Sequence, residues 1–510
     1  MVARNAGANL AGMFTTILVQ TLLAFGSYRL AGPEQFGMIA LYNVVLVAAG
    51  IFDVGLGQSV VREVARLRER EPAKLPSVVM TAGLLYTGLA ATIMVGAWVL
   101  SPFIARHWLN PESVSVATLE HNLILLAIGV AIQRVRGAFQ ATLEGLERQV
   151  LVNILVTIAG FSRLALGLGS LAFVEPTAEA FFYAQLIASV IETGIFVIAV
   201  LLIVPGALRF TSFDRDMLKG MSGFAIVNMV ATAVGTFIQL GDSLIVSLML
   251  PLATYGKYSM VSTFCSGMVR LATPLGSAYY PRLVRMLEMN RLEEARADFY
   301  LFSQATFALL FAGAGALVIF GDWALFVASN DLKLAADFHL ALAVLSVAYM
   351  LSGIARPSHA LQLAAGKPGI ALRVNFVTGT IALLVVWLTF RPLAAMGPSM
   401  AVVAPALGLA CGNFVAWFFF NRLGPVAIVK GGGPLWFLRS AGPQLIAALA
   451  ALALVRLVAG TVHAPVLMVI LIVVACGLAT GAAVLAANAL RPAILRAIAP
   501  FLPLKGVWSR

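Results

Sequence analysis

Ten ionisable side chains stand inside long apolar runs of this 510-residue chain, and they are the residues that could do chemistry. Seven are arginines: Arg134, Arg136, Arg163, Arg270, Arg356, Arg373 and Arg456. Three are acids: Asp53, Glu192 and Asp242. On the mildest insertion scale each such charge costs about 2.5–3.5 kcal/mol at the centre of a membrane-spanning helix, so each must face protein or water. The excess of cations makes the interior basic. That sign suits an anionic headgroup, because a guanidinium forks two hydrogen bonds onto phosphate oxygens.

Spacing divides their roles. Arg134 and Arg136 are two residues apart and project to nearly opposite sides of a helix, so they cannot do the same job. Asp53 falls at a similar depth and is a candidate partner for one of them. Arg163 and Glu192 are expected near the midplane of neighbouring spans, where they could pair. Arg270 is the cationic candidate of the second half, with Pro274 and Gly276 after it to bend the helix. Asp242 is expected near the outer end of its span. The binding candidates are therefore Arg134, Arg136, Arg270, Arg356 and Arg62, the first arginine of a basic loop. The coupling or ion-pair candidates are Asp53, Glu192, Asp242 and Arg163. Structural readings stand beside these: a buried arginine–acid pair can simply fix helix register, and Arg356, Arg373 and Arg456 have stems long enough to snorkel or pack.

Other chemistries are excluded by pattern. Gly366-Lys367-Pro368 lacks the glycines of a phosphate-binding loop. No paired-cysteine or H-E-x-x-H metal site occurs, and Cys265, Cys411 and Cys476 are expected to be core residues. No metal, cofactor or enzymatic role is expected. The net charge of +12 is spread over many short loops, which argues against nucleic-acid binding.

The elements that position these residues are membrane helices. The chain is 61% hydrophobic and only 11% charged, against about a quarter charged in soluble domains, and its mean hydropathy is +0.96. An all-α polytopic membrane protein of about 14 spans is expected, near 7–30, 36–60, 78–100, 119–143, 150–173, 178–204, 221–248, 254–280, 298–320, 337–360, 370–390, 397–420, 441–460 and 465–489. The first run is too long for a cleaved leader and reads as a retained helix. With the amino terminus in the cytoplasm, 22 loop Lys and Arg fall inside and 5 outside, and both termini are cytoplasmic.

The chain also repeats itself. Asn9 to Gly37 and Asn228 to Gly256 span equal lengths, and L-A-G-P-E-Q-F-G-M-I resembles L-M-L-P-L-A-T-Y-G-K-Y. The stretch from Arg136 to Asn153 likewise resembles that from Arg356 to Asn375. Spans 1–6 and 7–12 read as two copies of one six-helix unit in parallel orientation. The expected domains are 1–204, 205–420, and 421–510 with two further helices and a tail.

The words L-A-G-P-E-Q-F-G and D-V-G-L-G-Q-S-V-V-R-E-V-A, between Leu30 and Ala65, resemble the amino-terminal signature of the polysaccharide transporters. These are the O-antigen-type flippases of the multidrug/oligosaccharidyl-lipid/polysaccharide exporter superfamily. The helix count extends the resemblance over nearly the whole chain. It implies a flippase of undecaprenyl-diphosphate-linked oligosaccharide in a bacterial inner membrane, working by alternating access through a cationic cavity. It also implies membrane lipids as surroundings, and a polysaccharide polymerase and a chain-length regulator as pathway neighbours. A lipid II-type flippase, a cation-coupled multidrug antiporter of the same superfamily and a non-transporting synthase scaffold remain as alternatives.

Overall fold

In the computed structural model the described residues are 2–207, 236, 240–366, 368–423, 425–431, 434–460, 462 and 464–498. They form helices α1 (Val2–Arg70), α2 (Leu75–Phe103), α3 (Val116–Gly145), α4 (Gln149–Phe173), α5 (Ala178–Ile203) and α6 (Leu240–Met249), followed by α7 (Leu252–Leu271), α8 (Thr273–Glu288), α9 (Leu292–Ile319), α10 (Gly321–Ser329), α11 (Leu332–Ala364) and α12 (Pro368–Ala394). Then come α13 (Pro398–Ala401), α14 (Val403–Leu423), α15 (Pro425–Ile428), α16 (Pro434–Ala459), α17 (Pro465–Ala486) and α18 (Leu490–Ile498). Apart from an isolated backbone bridge between Asn110 and Pro251, the described residues hold no strand. An all-helical chain is what a bilayer requires, since an unpaired backbone group in hydrocarbon costs several kcal/mol.

Eleven stretches among the described residues are long and apolar enough to cross a membrane, and the protein is a multi-pass membrane protein. One of the eleven, Thr15–Gly50, takes in much of the first two expected spans. Most of the seventh lies outside the described residues, with α6 at its end. The eighth corresponds to α7 and the start of α8. A count of fourteen is consistent with this.

Two local expectations are corrected. Gly32-Pro33 is not a loop but a single-residue break inside α1: Gly32 alone leaves helical geometry, at φ 78° and ψ 174°. Glycine is suited to that positive φ because it carries no Cβ, and Pro33 starts the next helical arm without needing a backbone donor. The helix also runs on to Arg70, well past the expected edge at 60. Hydropathy marks where lipid ends, whereas Arg62 to Arg70 are good helix formers in water.

The chain divides into two units, Met1–Met260 and Val261–Arg510. In the first, α1 packs on α3 and α4, while α3 packs on α2 and α5. Val60, Val64, Val79, Phe139, Phe196 and Val200 share its main apolar cluster. In the second, α9 packs on α11, α16 and α17, and α14 packs on α11 and α12. With lipid as apolar as any core, close approach rather than the hydrophobic effect holds such helices. Gly408 and Gly412 of α14, four residues apart, bring that helix onto the carbonyls of Ala382 and Thr378 in α12. Cys265 is buried, but Cys411 is exposed and is not a core residue. A lipid-facing position is as apolar as the interior, so residue type cannot separate the two.

Polar side chains tie the helix ends. Glu34 accepts from the backbone N–H groups of Glu112 (2.7 Å) and Ser113 (2.9 Å). Gln35 accepts from Ala178 N at 2.9 Å and so caps α5. The acid and amide of the G-P-E-Q-F-G word are thus structural clasps. In the second unit Gln304 Oε1 accepts from Ala489 N and Leu490 N, both at 2.9 Å, at the start of α18. Gln444 donates to the Gln304 carbonyl at 3.1 Å. The last helices are thereby clasped to α9.

Candidate functional site

In the first unit three helices bring the ionised groups together. Arg163 stands on α4, Glu192 on α5 and Arg136 on α3. Arg163 donates to Glu192 Oε2 from Nη2 at 2.6 Å and from Nε at 2.9 Å. It also donates to Tyr42 Oη at 2.7 Å, Gln185 Oε1 at 3.0 Å and Ser189 Oγ at 3.1 Å. Tyr42 belongs to α1, so this one guanidinium joins α1, α4 and α5. Arg136 Nη1 pairs with Glu192 Oε1, and its guanidinium carbon lies 5.4 Å from the centroid of the Phe196 ring. Glu192 is 3% exposed, and each of its oxygens is taken by a different arginine.

The expected Arg163–Glu192 contact is present. Arg136 also goes to Glu192, whereas the sequence offers Asp53 as the candidate partner for Arg134 or Arg136. Arg134 is buried and points elsewhere, as its spacing from Arg136 requires: a Cβ on Gly50 of α1 would lie 4.0 Å from its Nη1. Gly50 precedes Asp53 by three residues, and the Asp53 side chain lies outside the described residues. Asp242 is buried at α6 and accepts from Tyr258 Oη at 2.7 Å.

The second unit presents its arginines differently. Arg270, near the end of α7, and Arg356, two turns before the end of α11, are both exposed. Arg356 Nη1 donates to Thr273 Oγ1 at 3.3 Å, and Thr273 opens α8 three residues after Arg270. Tyr349, two turns before Arg356, meets Ser262 of α7 at 3.3 Å between hydroxyls and lies within electrostatic reach of Arg270. Tyr349 and Arg356 therefore form one stripe of α11 against the α7–α8 corner. Ala272 and Pro274 make that corner, so the bend expected after Arg270 is real. An exposed guanidinium requires water, so this face of the second unit is wetted.

The remaining candidates are peripheral. Arg62 and Arg373 are exposed on α1 and α12. Arg456 is not a snorkelling side chain: it pairs with Asp322 at 2.7 Å and lies 4.1 Å from the Trp323 ring centroid. Asp322 stands on the short helix α10, in a stretch expected to be a loop. Arg282 pairs with Asp298 at 2.9 Å. Between α1 and α2, a hydrogen bond from Lys74 holds the Glu71 carboxyl below its usual range. Among the described residues no cluster of three or more His, Cys, Asp or Glu could hold a metal. Tyr42, Gln185, Ser189, Thr273 and Tyr349 escape a reading of the sequence because an uncharged polar residue in an apolar run carries little signal.

The fold is that of a membrane transporter. A multidrug resistance transporter of the MATE family, in the MOP superfamily, superimposes with a TM-score of 0.69 at 14% identity, over 83% of this chain and 99% of that one. The lipid II flippase MurJ superimposes with a TM-score of 0.67 at 12% identity, over 98% of this chain and 100% of that one. A MOP-superfamily transporter from Pyrococcus furiosus gives 0.57 at 17% identity, over 84% and 96%. In sequence, a Shigella flexneri protein provisionally named an O-antigen transporter is 30% identical over 164 residues. That match spans 31% of this chain and 37% of the relative's own length. The family described as polysaccharide biosynthesis protein matches residues 2–287, and the chain belongs to it. Its fold is the one shared by these transporters of the MOP superfamily.

Proposed function

We propose that this protein flips a polyprenyl-diphosphate-linked oligosaccharide across the cytoplasmic membrane of a bacterium, for O-antigen, capsule or exopolysaccharide synthesis. The observation that carries the reading is a pair of exposed arginines in helices otherwise built for lipid: Arg356, which donates to Thr273, and Arg270, three residues before that threonine. Two guanidiniums and a hydroxyl offer enough donors to hold the oxygens of a diphosphate. The polyprenyl tail would remain in the bilayer, and the head would be reached from one side of the membrane at a time. The unequal loop charge supports cytoplasmic termini.

The state of the acids supports the same reading over a carrier of organic cations. Glu192 is neutralised by two arginines, and Asp298 and Asp322 each face one. Asp242 is buried on a tyrosine hydroxyl. Glu192 and Asp242, the membrane-depth carboxylates among the described residues, are poorly disposed to receive a cationic drug when held in this way.

The test is headgroup translocation in reconstituted vesicles, with a fluorescent undecaprenyl-diphosphate oligosaccharide. The expected result is transport by the wild type and its loss in Arg270→Ala or Arg356→Ala. A wild type that ignores this lipid but moves organic cations against a proton or sodium gradient would overturn the reading. Transport of lipid II alone would move the protein to the sibling function.

A further inference from the structure

Beyond Thr273, helix α8 is sharply two-sided. Leu283 and Met286 are buried with Phe299 and Phe302, whereas Thr273, Tyr280, Pro281, Arg282, Arg285 and Glu288 are exposed. Tyr279 turns inward, its ring stacked on Phe302 with centroids 5.1 Å apart and planes 8° from parallel. Tyr280, the next residue, turns outward and is 39% exposed.

Tyr280 is seven residues along the helix from Thr273. Seven residues of helix advance about 10.5 Å and return to within about 20° of the same direction. Tyr280 therefore looks out over the face that carries the Arg356–Thr273 contact, two turns further along. That face is wet where it begins, since the exposed Arg356 donates to Thr273 there.

We propose that Tyr280 is a glycan-stacking platform, taking the first sugars of the chain attached to the diphosphate held at Arg270, Arg356 and Thr273. This role rests on the lipid-linked oligosaccharide being the substrate. A pyranose shows one face of C–H groups, which are weakly positive, and a tyrosine ring shows a negative π face. The ring is already turned to solvent, so no contact within the fold is broken when a sugar covers it. Its hydroxyl supplies a hydrogen-bond partner for sugar hydroxyls. The distance matters most: about 10.5 Å from the phosphate contact lies within reach of a short glycan but beyond a bare diphosphate.

The experiment compares two probes in the same vesicles, undecaprenyl-diphosphate monosaccharide and undecaprenyl-diphosphate tetrasaccharide, for wild type, Tyr280→Ala and Tyr280→Phe. Tyr280→Ala is expected to lower transport of the tetrasaccharide lipid relative to the monosaccharide lipid by about three- to tenfold. Tyr280→Phe, which keeps the ring, should retain most of the preference. Equal loss for both lipids would make Tyr280 an interfacial anchor and overturn the proposal, as would no change in either. If the wild type moves neither lipid, the transport function itself fails, an outcome distinct from loss of the preference alone.

Discussion

Gly256 of α7 lies directly against Gly37 of α1. A Cβ on Gly256 would overlap the Pro33 carbonyl oxygen and stand 3.0 Å from Gly37 N; a Cβ on Gly37 would overlap the Leu252 carbonyl oxygen. These glycines occupy matching places in two segments that resemble each other in sequence, and each comes a few residues after a proline, Pro33 or Pro251. The obstructing atoms are backbone, so they cannot rotate aside. Gly256→Ala and Gly37→Ala are each expected to destabilise the protein by about 1–3 kcal/mol through overpacking. Gly88→Ala, where a Cβ meets nothing within 4 Å, should be nearly silent. Thermal unfolding of the purified variants in detergent distinguishes them.

Glu192 should be more critical to folding than either arginine it holds. Its replacement by glutamine leaves Arg136 and Arg163 side by side without a counter-charge in a buried site. Removing one partner from such a cluster costs about 3–5 kcal/mol. Glu192→Gln is expected to lower the melting temperature and the folded yield sharply. Arg136→Gln, which leaves the Arg163–Glu192 pair intact, should cost less. An equal loss for the two would show that the carboxylate is not the centre of the node.

Arg270 and Arg356 should show the opposite behaviour. Both are exposed, so Arg270→Ala and Arg356→Ala are expected to melt close to the wild type while transport falls about tenfold or more. Lysine at either position should restore only part of the rate, because an ammonium supplies a point charge without the planar fork. Transport and unfolding measured on the same preparations separate the two effects. A fall in stability that matches the fall in transport would make these arginines structural.

The Arg456–Asp322 pair supplies a contrast within the second unit. Its side chains are 30% and 35% exposed, so the ion pair itself contributes no more than about 1 kcal/mol. Stacking on Trp323 adds a similar amount. Arg456→Ala should lower stability modestly and leave lipid transport unchanged, and a transport defect without a stability change would bring this corner into the pathway.

Much of this is legible from residues alone. Long apolar runs must be helices in a bilayer, because no other backbone pairs its own polar groups there. A charge inside such a run must be protected, so Arg163 and Glu192 stand out before any contact is known. The break at Gly32 is visible as the gap between the expected spans 7–30 and 36–60, though not as a single residue within a continuing helix. The packing role read for Arg456 holds, but its acid, Asp322, escapes because it sits in an apparent loop, and no one-dimensional spacing reveals that α10 brings it to α16. The uncharged partners Tyr42, Gln185, Ser189 and Thr273 escape notice because they resemble ordinary residues of a membrane helix.

The sequence by itself determined the class of protein, because composition and the length of apolar runs answer to the solvent rather than to any neighbour. It determined, too, which side chains were costly enough to need a reason. Tertiary structure alone decided which arginines are held by a buried acid and which stand exposed. Arg136 and Arg356 open two stretches that resemble each other in sequence, yet Arg136 is held by Glu192 while Arg356 meets Thr273 at an exposed corner. The difference lies in what the neighbouring helices bring within about 3 Å of each guanidinium, the distance at which a hydrogen bond forms. That depends on helix rotation and packing, which a spacing along one chain does not contain.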